Sequence, residues 1–171
     1  MSDPQQAPTA PGSFSDADHA RYLRRAFRLA REARGSGNHP FGALLVAPDG
    51  LVLAEARNSV GSGDCTGHAE TNLMRLASLR FAPEVLASAT LYTSTEPCAM
   101  CAGAIYWGGV PRVVYGLSER GLLALTGADP DNPTIDLPCR EVFAHGQRPV
   151  EVIGPLLEEE AKALHEGFWQ R

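Results

Sequence analysis

The sequence predicts an α/β fold of three layers, in which a central mixed five-stranded sheet carries helices on both faces. An N-terminal stretch with helical periodicity precedes two short apolar runs around the turn Pro48-Asp49-Gly50, and the later apolar runs alternate with helical segments. Alternating strands and helices are typical of α/β sheets, and the opening hairpin makes the sheet mixed rather than fully parallel. With 171 residues and no internal repeat, the chain has the size of one domain.

The first half of the chain is predicted to form a helix and a hairpin. Ser15, with Asp16 and Asp18, is a typical helix start, and glycines at positions 35 and 37 end the helix. Residues 41–47 and 51–54 are the two strands of the hairpin, and residues 57–67 form a polar loop. The apolar residues that recur at helical spacing are Leu23, Ala26, Phe27, Ala30 and Ala33.

The second half is predicted to alternate helices with strands. Helices are expected over about 68–79, over 98–106 as a short buried helix, and over 119–125, with strands at 90–94, 112–115 and 150–153. Residues 126–149 contain four prolines and are expected to form one long loop. A final amphipathic helix follows, with Leu157, Ala161, Leu164 and Phe168 on its apolar face.

The domain boundaries follow from composition. Residues 1–14, rich in Pro, Gln, Ala and Ser, are predicted to be a disordered tail. Residues 15–171 are predicted to be a single domain.

Composition excludes several functional classes. The chain has 15 Lys and Arg against 20 Asp and Glu, and a net charge of −5 provides no general field for nucleic acid or anionic membranes. No apolar run reaches about 18 residues, so no membrane span is expected. The N-terminus lacks the basic-then-apolar pattern of a secretory signal. Four cysteines are too few for a disulfide scaffold, so we expect a cytoplasmic protein with reduced thiols.

Two clusters, each at the predicted start of a helix, carry the chemistry. They are His68-Ala69-Glu70 and Pro97-Cys98-Ala99-Met100-Cys101. Cysteines three apart on a helix share one face, and a helix N-terminus favours their thiolates. We therefore predict that His68, Cys98 and Cys101 bind Zn²⁺, with the fourth coordination position left open as in catalytic zinc sites. Glu70 is a poor fourth ligand and is predicted to transfer protons.

Each motif also has a simpler interpretation. A C-x-x-C pair alone is often a redox pair or part of a structural zinc site. A structural site needs a fourth protein ligand, which Cys65 or Cys139 would have to supply, and a redox pair needs no glutamate. The combination of C-x-x-C with H-x-E, both at helix starts, favours a catalytic zinc site.

These motifs resemble those of the zinc-dependent cytidine/nucleobase deaminase family, whose signature joins H-x-E with P-C-x-x-C. The resemblance extends over about residues 15–169. The segments Pro40-Phe41-Gly42-Ala43 and 90–94 and the residue Asn58 are similar to the purine-acting branch, and Ala104-Ile105-Tyr106-Trp107 is similar to bacterial guanine deaminases. The resemblance implies a cytidine deaminase-like fold, a Zn²⁺ cofactor, and hydrolysis of a cyclic amidine C–N bond with release of ammonia.

The resemblance also implies the residues that bind the substrate. Asn58 hydrogen-bonds it, Phe41 and Trp107 flank its ring, and Ala69 and Trp169 contact it. The alternative for Phe41 and Trp107 is ordinary core packing. Trp169 continues the polar row of the final helix (Glu158, Lys162 and His165), so an exposed tryptophan there predicts a lid over the pocket or a subunit interface. The alternative is a frayed chain end at which Trp169 packs loosely on its own subunit.

The expected substrate is a small nucleobase, guanine or a related amino-heterocycle, and the family implies a homodimer. The alternatives are a deaminase of guanosine, cytidine or adenosine, a tRNA adenosine deaminase, and a zinc-stabilised interaction domain. A tRNA enzyme would use the arginines of the first helix, which we interpret instead as a solvated face, because the chain is acidic. These arginines are Arg21, Arg24, Arg25, Arg28, Arg31 and Arg34. His39 is interpreted as a solvated loop residue.

Overall fold

The central sheet has five strands in the order β2-β1-β3-β4-β5. The structure is a computed structural model that describes residues 13–127 and 129–169. Strand β1 pairs antiparallel with both β2 and β3, whereas β3, β4 and β5 are parallel, so the predicted mixed sheet is confirmed. The strands are β1 Gly42–Val46, β2 Val52–Arg57, β3 Thr90–Thr95, β4 Arg112–Leu117 and β5 Glu151–Ile153.

Helices cover both faces of the sheet, as predicted. They are α1 Asp16–Gly35, α2 Ala69–Arg80, α3 Pro83–Leu86, α4 Ala99–Gly108, α5 Glu119–Thr126, α6 Cys139–Ala144 and α7 Glu158–Ala163, and a 3₁₀ turn spans Val60–Ser62. One core contains residues of α1, α5 and α7, and the other contains residues of α2, α4 and α6. Strand β1 is buried along its whole length because alternate side chains enter the two cores.

Helix α1 begins where the sequence predicts, at a capping box. The Ser15 hydroxyl accepts a hydrogen bond from the Asp18 N–H, and the Asp18 carboxylate accepts one from the Ser15 N–H. These hydrogen bonds lower the pKa of the Asp18 carboxyl. A cap of this kind stabilises a helix by about 1 kcal/mol.

The arginines of α1 form a solvated, ion-paired face, as interpreted from the sequence. Arg24 pairs with Glu160, and Arg25 and Arg28 pair with Glu55. Exposed pairs like these contribute about 0–1 kcal/mol each. Opposite charges therefore surround much of this face.

The loop predicted over 126–149 is wrong in part, because α6 lies within it. Helix α6 has six residues, too short to produce a periodic apolar pattern, and its first N–H is held by a distant side chain, Glu96. The four-residue helix α3 was also missed. The helix α4 begins at Ala99 rather than at Cys98 and is buried on one face only.

The final amphipathic helix is wrong in its extent. Helix α7 ends at Ala163, and residues 164–168 form turns, so the helical spacing drawn through Phe168 does not apply. As a consequence His165 is buried rather than part of a polar row. Leu164 and Phe168 are buried, as expected, but from turns.

The predicted tail lies mostly outside the described residues, which begin at Ser13. Phe14, at the predicted boundary, packs edge-on against Tyr22 and Tyr92, with ring centroids 5.5 and 6.4 Å apart, and the boundary itself stays a prediction. Among the helices that the structure describes, none has the length and apolarity to cross a membrane.

Candidate active site

The predicted chemical groups meet at one edge of the sheet. The parallel strands β3 and β4 both end there, and Phe41 precedes the antiparallel strand β1 at the same edge, where the Gly42 N–H donates to the Ser94 hydroxyl. Helices α2 and α4 begin beside this edge, with His68 and Cys98 as their N-cap residues. Ligand sites of α/β sheets form at the carboxyl ends of the strands.

The three predicted zinc ligands are brought together. His68 Nδ1 lies 3.5 Å from Cys98 Sγ and 3.6 Å from Cys101 Sγ, and the three ligand atoms lie within 4.8 Å of one another. Tetrahedral zinc with ordinary Zn–S and Zn–N bonds separates such atoms by about 3.6 Å, so the donor set fits Zn²⁺. Neither Cys65 nor Cys139 joins this group, so the described residues form no four-ligand structural site.

The thiols are prepared unequally for the metal. Hydrogen bonds from Cys101 and His68 stabilise the Cys98 thiolate and lower the pKa of Cys98 to about 4. The neighbouring Cys98 thiolate and burial raise the pKa of Cys101, and the same thiolate raises the pKa of His68. Without metal, Cys98 is therefore a thiolate at neutral pH, Cys101 stays a thiol, and the equilibrium at His68 is moved towards its protonated form.

Glu70 projects from the first turn of α2 beside the zinc ligands. Its side chain is 5% exposed, and the Thr93 hydroxyl donates a 2.5 Å hydrogen bond to Oε1. Burial raises the pKa of the Glu70 carboxyl. A carboxyl group with a raised pKa, fixed by a neighbouring hydroxyl, is a stronger base than an exposed glutamate and can transfer protons.

A small cavity of about 40 Å³ lies beside these groups. We call it the Glu70 cavity; it is lined by Phe41, His68, Glu70, Thr95, Glu96, Cys98, Glu119, Leu122 and Asn132. Burial and the Cys98 thiolate raise the pKa of Glu119 to about 8, and zinc on that thiolate would remove the second contribution.

Sequence reasoning missed five lining residues: Thr95, Glu96, Glu119, Leu122 and Asn132. Glu119 had a usable signal, since it follows the predicted strand at 112–115 and parallel strands end at a common edge.

Glu96 fixes the far wall of the cavity. Its carboxylate accepts the N–H of Glu119, the first residue of α5, and the N–H of Cys139, the first residue of α6, both at 2.9 Å. One buried side chain thus positions two helices that are distant in sequence.

Glu96→Gln is expected to lower the free energy of unfolding by about 1–3 kcal/mol, because one acceptor oxygen becomes an NH₂ group facing a buried N–H. Chemical denaturation measures the change, with the exposed Glu84→Gln as the control. Equal stability of the two variants would contradict the bracing role of Glu96.

Four of the predicted substrate-binding residues, Trp169 among them, do not line the Glu70 cavity. Asn58 is buried at the end of β2, where its Oδ1 accepts the Val60 N–H and its own N–H donates to the Phe41 carbonyl. Ala69 is fully buried in the core. Trp107 is 83% exposed and lies over Met74 and Gly108 on the outer surface, because α4 buries the opposite side at Cys101 and Ile105. Within one chain, Trp107 flanks no ring in this cavity.

The chain end forms a C-terminal aromatic cluster next to the cavity: His39, Phe41, His165, Phe168 and Trp169. Trp169 stacks on His165, donates a 3.1 Å hydrogen bond from Nε1 to its Nδ1, and lies 6.3 Å from the Phe41 ring. The predicted solvated surroundings of His39 and Trp169 are therefore wrong. Both rings pack within the chain because the turns after α7 return the C-terminus to the cavity.

Acidification is expected to loosen this cluster. Burial lowers the pKa of His165 to about 4, below its usual value of about 6.5. Its stabilising contribution is present above pH 6.5 and is lost as the pH falls towards 4, because the unfolded chain then binds the proton more readily. In a Trp107→Phe background, the Trp169 fluorescence should shift between pH 6.5 and 4. A constant spectrum over this range would contradict the stacked, neutral His165.

The fold and the site together define a zinc-dependent hydrolytic enzyme: two cysteines and a histidine hold the metal, and a buried carboxylate stands beside the open side. Residues 16–117 match the family model "Cytidine and deoxycytidylate deaminase zinc-binding region".

Known deaminases are similar in sequence or structure to most of this chain. A probable cytosine deaminase of Schizosaccharomyces pombe is 43% identical over 91% of this chain and 94% of its own. The guanine deaminase of Bacillus subtilis is 41% identical over 72% of this chain and 81% of its own. A guanine deaminase structure from Nitrosomonas europaea covers 97% of this chain and 88% of its own, with a TM-score of 0.72 and 26% identity. The chain belongs to the cytidine and deoxycytidylate deaminase zinc-binding family and is a zinc-dependent deaminase.

Proposed function

We propose that this protein hydrolytically deaminates a free nucleobase, converting a ring N=C–NH₂ unit and water into the ring carbonyl compound and ammonia. The observation that carries the proposal is that Glu70, His68 and Cys98 line one small cavity. The lining combines the apolar side chains of Phe41 and Leu122 with carboxyl, hydroxyl and amide groups, a mixture typical of sites for small polar rings.

In this reaction Glu70 moves the protons. Zinc, when bound, supplies the Lewis acid that activates water near neutral pH. The Glu70 carboxylate takes the proton from the attacking water and gives it to the ring nitrogen beside the amino-bearing carbon. Glu70 then takes the second proton from the hydroxyl group now on that carbon and gives it to the amino group, which leaves as ammonia while the ring carbonyl forms. Thr93 holds the carboxylate in one orientation throughout.

Guanine is the first candidate substrate, and cytosine is the second. The resemblance of the segments around Phe41 and Trp107 favours guanine. The similarity to the fission yeast protein, which spans nearly the whole chain, favours cytosine. Asn58 is proposed to help select between them through its NH₂ group, because its Oδ1 already accepts the Val60 N–H; this role requires the buried side chain to reach the cavity, whose lining does not include it.

An ammonia-release assay with zinc-loaded protein tests the proposal. The panel is guanine, cytosine, adenine, their nucleosides and amino-triazines. Turnover of a free base with kcat/KM at least tenfold above that of its nucleoside supports the proposal. Preferred turnover of a nucleoside would contradict it, and no turnover of any compound would favour the zinc-stabilised interaction domain.

A tRNA substrate is less well supported, because the arginines that would contact phosphate form ion pairs. Arg24, Arg25 and Arg28 each face a glutamate on the outer surface. Steeply salt-dependent RNA binding would be the contrary result.

The predicted homodimer and cytoplasmic location stay predictions. Exposed Leu79, Met100 and Trp107 are the large apolar side chains that α2 and α4 present to solvent, and a dimer would cover such residues.

Trp169→Ala is expected to raise KM for the best base several-fold while zinc content stays unchanged. Trp169 supports Phe41, which lines the Glu70 cavity, so its loss leaves one wall of the cavity unsupported. Steady-state kinetics measure the effect, and Trp107→Ala is the control for loss of an exposed indole. Kinetics and oligomer size equal to those of the unchanged protein would exclude a C-terminal lid.

A further inference from the structure

The Glu70 cavity contains a carboxyl group that the deamination mechanism does not use. Glu119 is 6% exposed and lines the cavity with its side chain. Its backbone N–H is held by Glu96, but its carboxyl group has no hydrogen-bond partner within residues 13–127 and 129–169. Burying an unpaired carboxyl group is costly, so such a group is retained where a ligand completes it.

A second polar group in the lining also lacks a partner. The Thr95 hydroxyl oxygen is fully buried and accepts or donates no hydrogen bond among the described residues. Thr95 ends strand β3 opposite Leu117 of β4, and Glu119 follows Leu117 by two residues. Both unpartnered groups therefore emerge from the ends of neighbouring parallel strands into one cavity.

The hydrogen-bonding capacity of the Glu119 carboxyl and the Thr95 hydroxyl limits which ligands these two groups can bind. The Glu119 carboxyl only accepts hydrogen bonds when it is ionised, the form that Zn²⁺ on the neighbouring Cys98 thiolate would favour, and a threonine hydroxyl both donates and accepts. Their common ligand must present an N–H or O–H to Glu119, next to a second polar atom for Thr95. A free nucleobase carries ring N–H groups, and in a nucleoside the sugar replaces the hydrogen of one of them.

We propose that Glu119 accepts a hydrogen bond from a ring N–H of the substrate, with Thr95 binding the adjacent polar atom, so that this wall of the cavity selects free bases over N-substituted ones. The inference rests on the proposed function and names the residues that determine specificity within it. Glu96 is the positioning residue, because it fixes the backbone from which the Glu119 side chain projects.

A chemical double-mutant cycle tests this contact. Glu119→Met removes both acceptors at similar volume, and Glu84→Met is the matched control at an exposed helical position. Each zinc-loaded variant is assayed with the best base from the panel and with each of its ring N-methylated isomers. We expect the unchanged protein to lose at least tenfold in kcat/KM on one isomer. Glu119→Met should lose as much on the parent base but less than threefold on that isomer, since both changes remove the same hydrogen bond.

Thr95→Val provides an independent measurement. Removing an unpartnered buried hydroxyl is expected to leave Tm unchanged or raise it, whereas KM for the parent base should rise several-fold. Glu119→Gln keeps the shape of the side chain and one acceptor oxygen, so its kcat/KM on the parent base should lie between those of the unchanged protein and Glu119→Met. It replaces the methionine variant in the cycle if that variant loses zinc.

The two proposals fail differently. Two results would overturn the Glu119 contact and leave the deaminase proposal standing, provided that the unchanged protein turns over a free base. In the first, Glu119→Met and Thr95→Val have kcat/KM values within twofold of the unchanged protein. In the second, Glu119→Met lowers kcat/KM by the same factor on the parent base and on every N-methylated isomer. If no base is turned over, the deaminase proposal fails. The same double-mutant cycle is then measured as dissociation constants by calorimetry, and these values show whether Glu119 contacts the base. No binding of any base to the unchanged protein would overturn both.

Discussion

Replacing Glu70 with glutamine is expected to lower kcat by a factor of about 10²–10⁴ while zinc remains bound, because this is the usual contribution of a general acid–base group. Glutamine has the same shape and can still accept the Thr93 hydroxyl hydrogen bond. It cannot take up a proton from water or return one to the ring and the amino group. The fold and the metal are therefore retained and proton transfer is lost.

The measurement combines steady-state kinetics with metal analysis of the same sample. Thr93→Val is the companion variant, since it removes the hydroxyl that orients the carboxylate and leaves the carboxylate itself. We expect an intermediate loss of kcat for it. If Glu70→Gln keeps both zinc and near-normal turnover, Glu70 has no part in the reaction.

The pH dependence has a definite sign. Burial raises the pKa of the Glu70 carboxyl, so the protonated form, which cannot act as a base, persists to higher pH than in an exposed glutamate. Turnover should therefore fall on the acidic side as Glu70 becomes protonated, and the positive charge of zinc shifts this limb towards lower pH.

Local sequence signals were sufficient to predict many of the helices and strands and the metal site. Ser15 with Asp18 is a capping box that acts within four residues, and Pro48-Asp49-Gly50 closes a hairpin of neighbouring strands. His68, Cys98 and Cys101 were found for the same reason, since each stands at a helix start where its chemistry is concentrated.

Features that depend on tertiary contacts could not be predicted from the sequence. Helix α6 is held at its first residue by Glu96, which is 43 residues away. His165 is buried because the chain turns after Ala163, and no periodic pattern encodes that turn. Glu119 acquires its importance from the parallel pairing of β3 with β4, which places it beside Thr95. Trp107 was assigned by resemblance, and the orientation of α4 in this chain directs it to solvent.

Loss of a zinc ligand is expected to have the largest effect of any single change. Cys101→Ala should abolish stoichiometric zinc binding and lower turnover by about 10³-fold or more, because water then keeps its ordinary pKa rather than one near 7. Cys101 is fully buried between Cys98 and His68, and alanine leaves two ligands, too few to hold the metal in a three-ligand site. Cys98→Ala should behave in the same way.

The cysteines of the chain provide the matched control. Cys65→Ala changes an exposed thiol outside the metal group and should retain zinc and full activity. Added zinc should raise the Tm of the metal-free unchanged protein and of Cys65→Ala, since a ligand that binds the folded state stabilises it, and should leave the Tm of Cys101→Ala unmoved. Full zinc content and turnover in Cys101→Ala would refute the ligand assignment.

Zinc affinity should also rise with pH, which tests the same site without mutation. In the metal-free protein the Cys98 thiolate is already formed, whereas the pKa of Cys101 is raised well above its usual value, so Cys101 holds a proton that zinc must displace; the raised pKa of His68 acts in the same direction. Binding should therefore release protons near neutral pH and weaken as the pH falls. Calorimetry in buffers of different ionisation enthalpy measures the number released. Cys65→Ala must release as many protons as the unchanged protein, whereas Cys101→Ala, which is expected not to bind zinc, should release none.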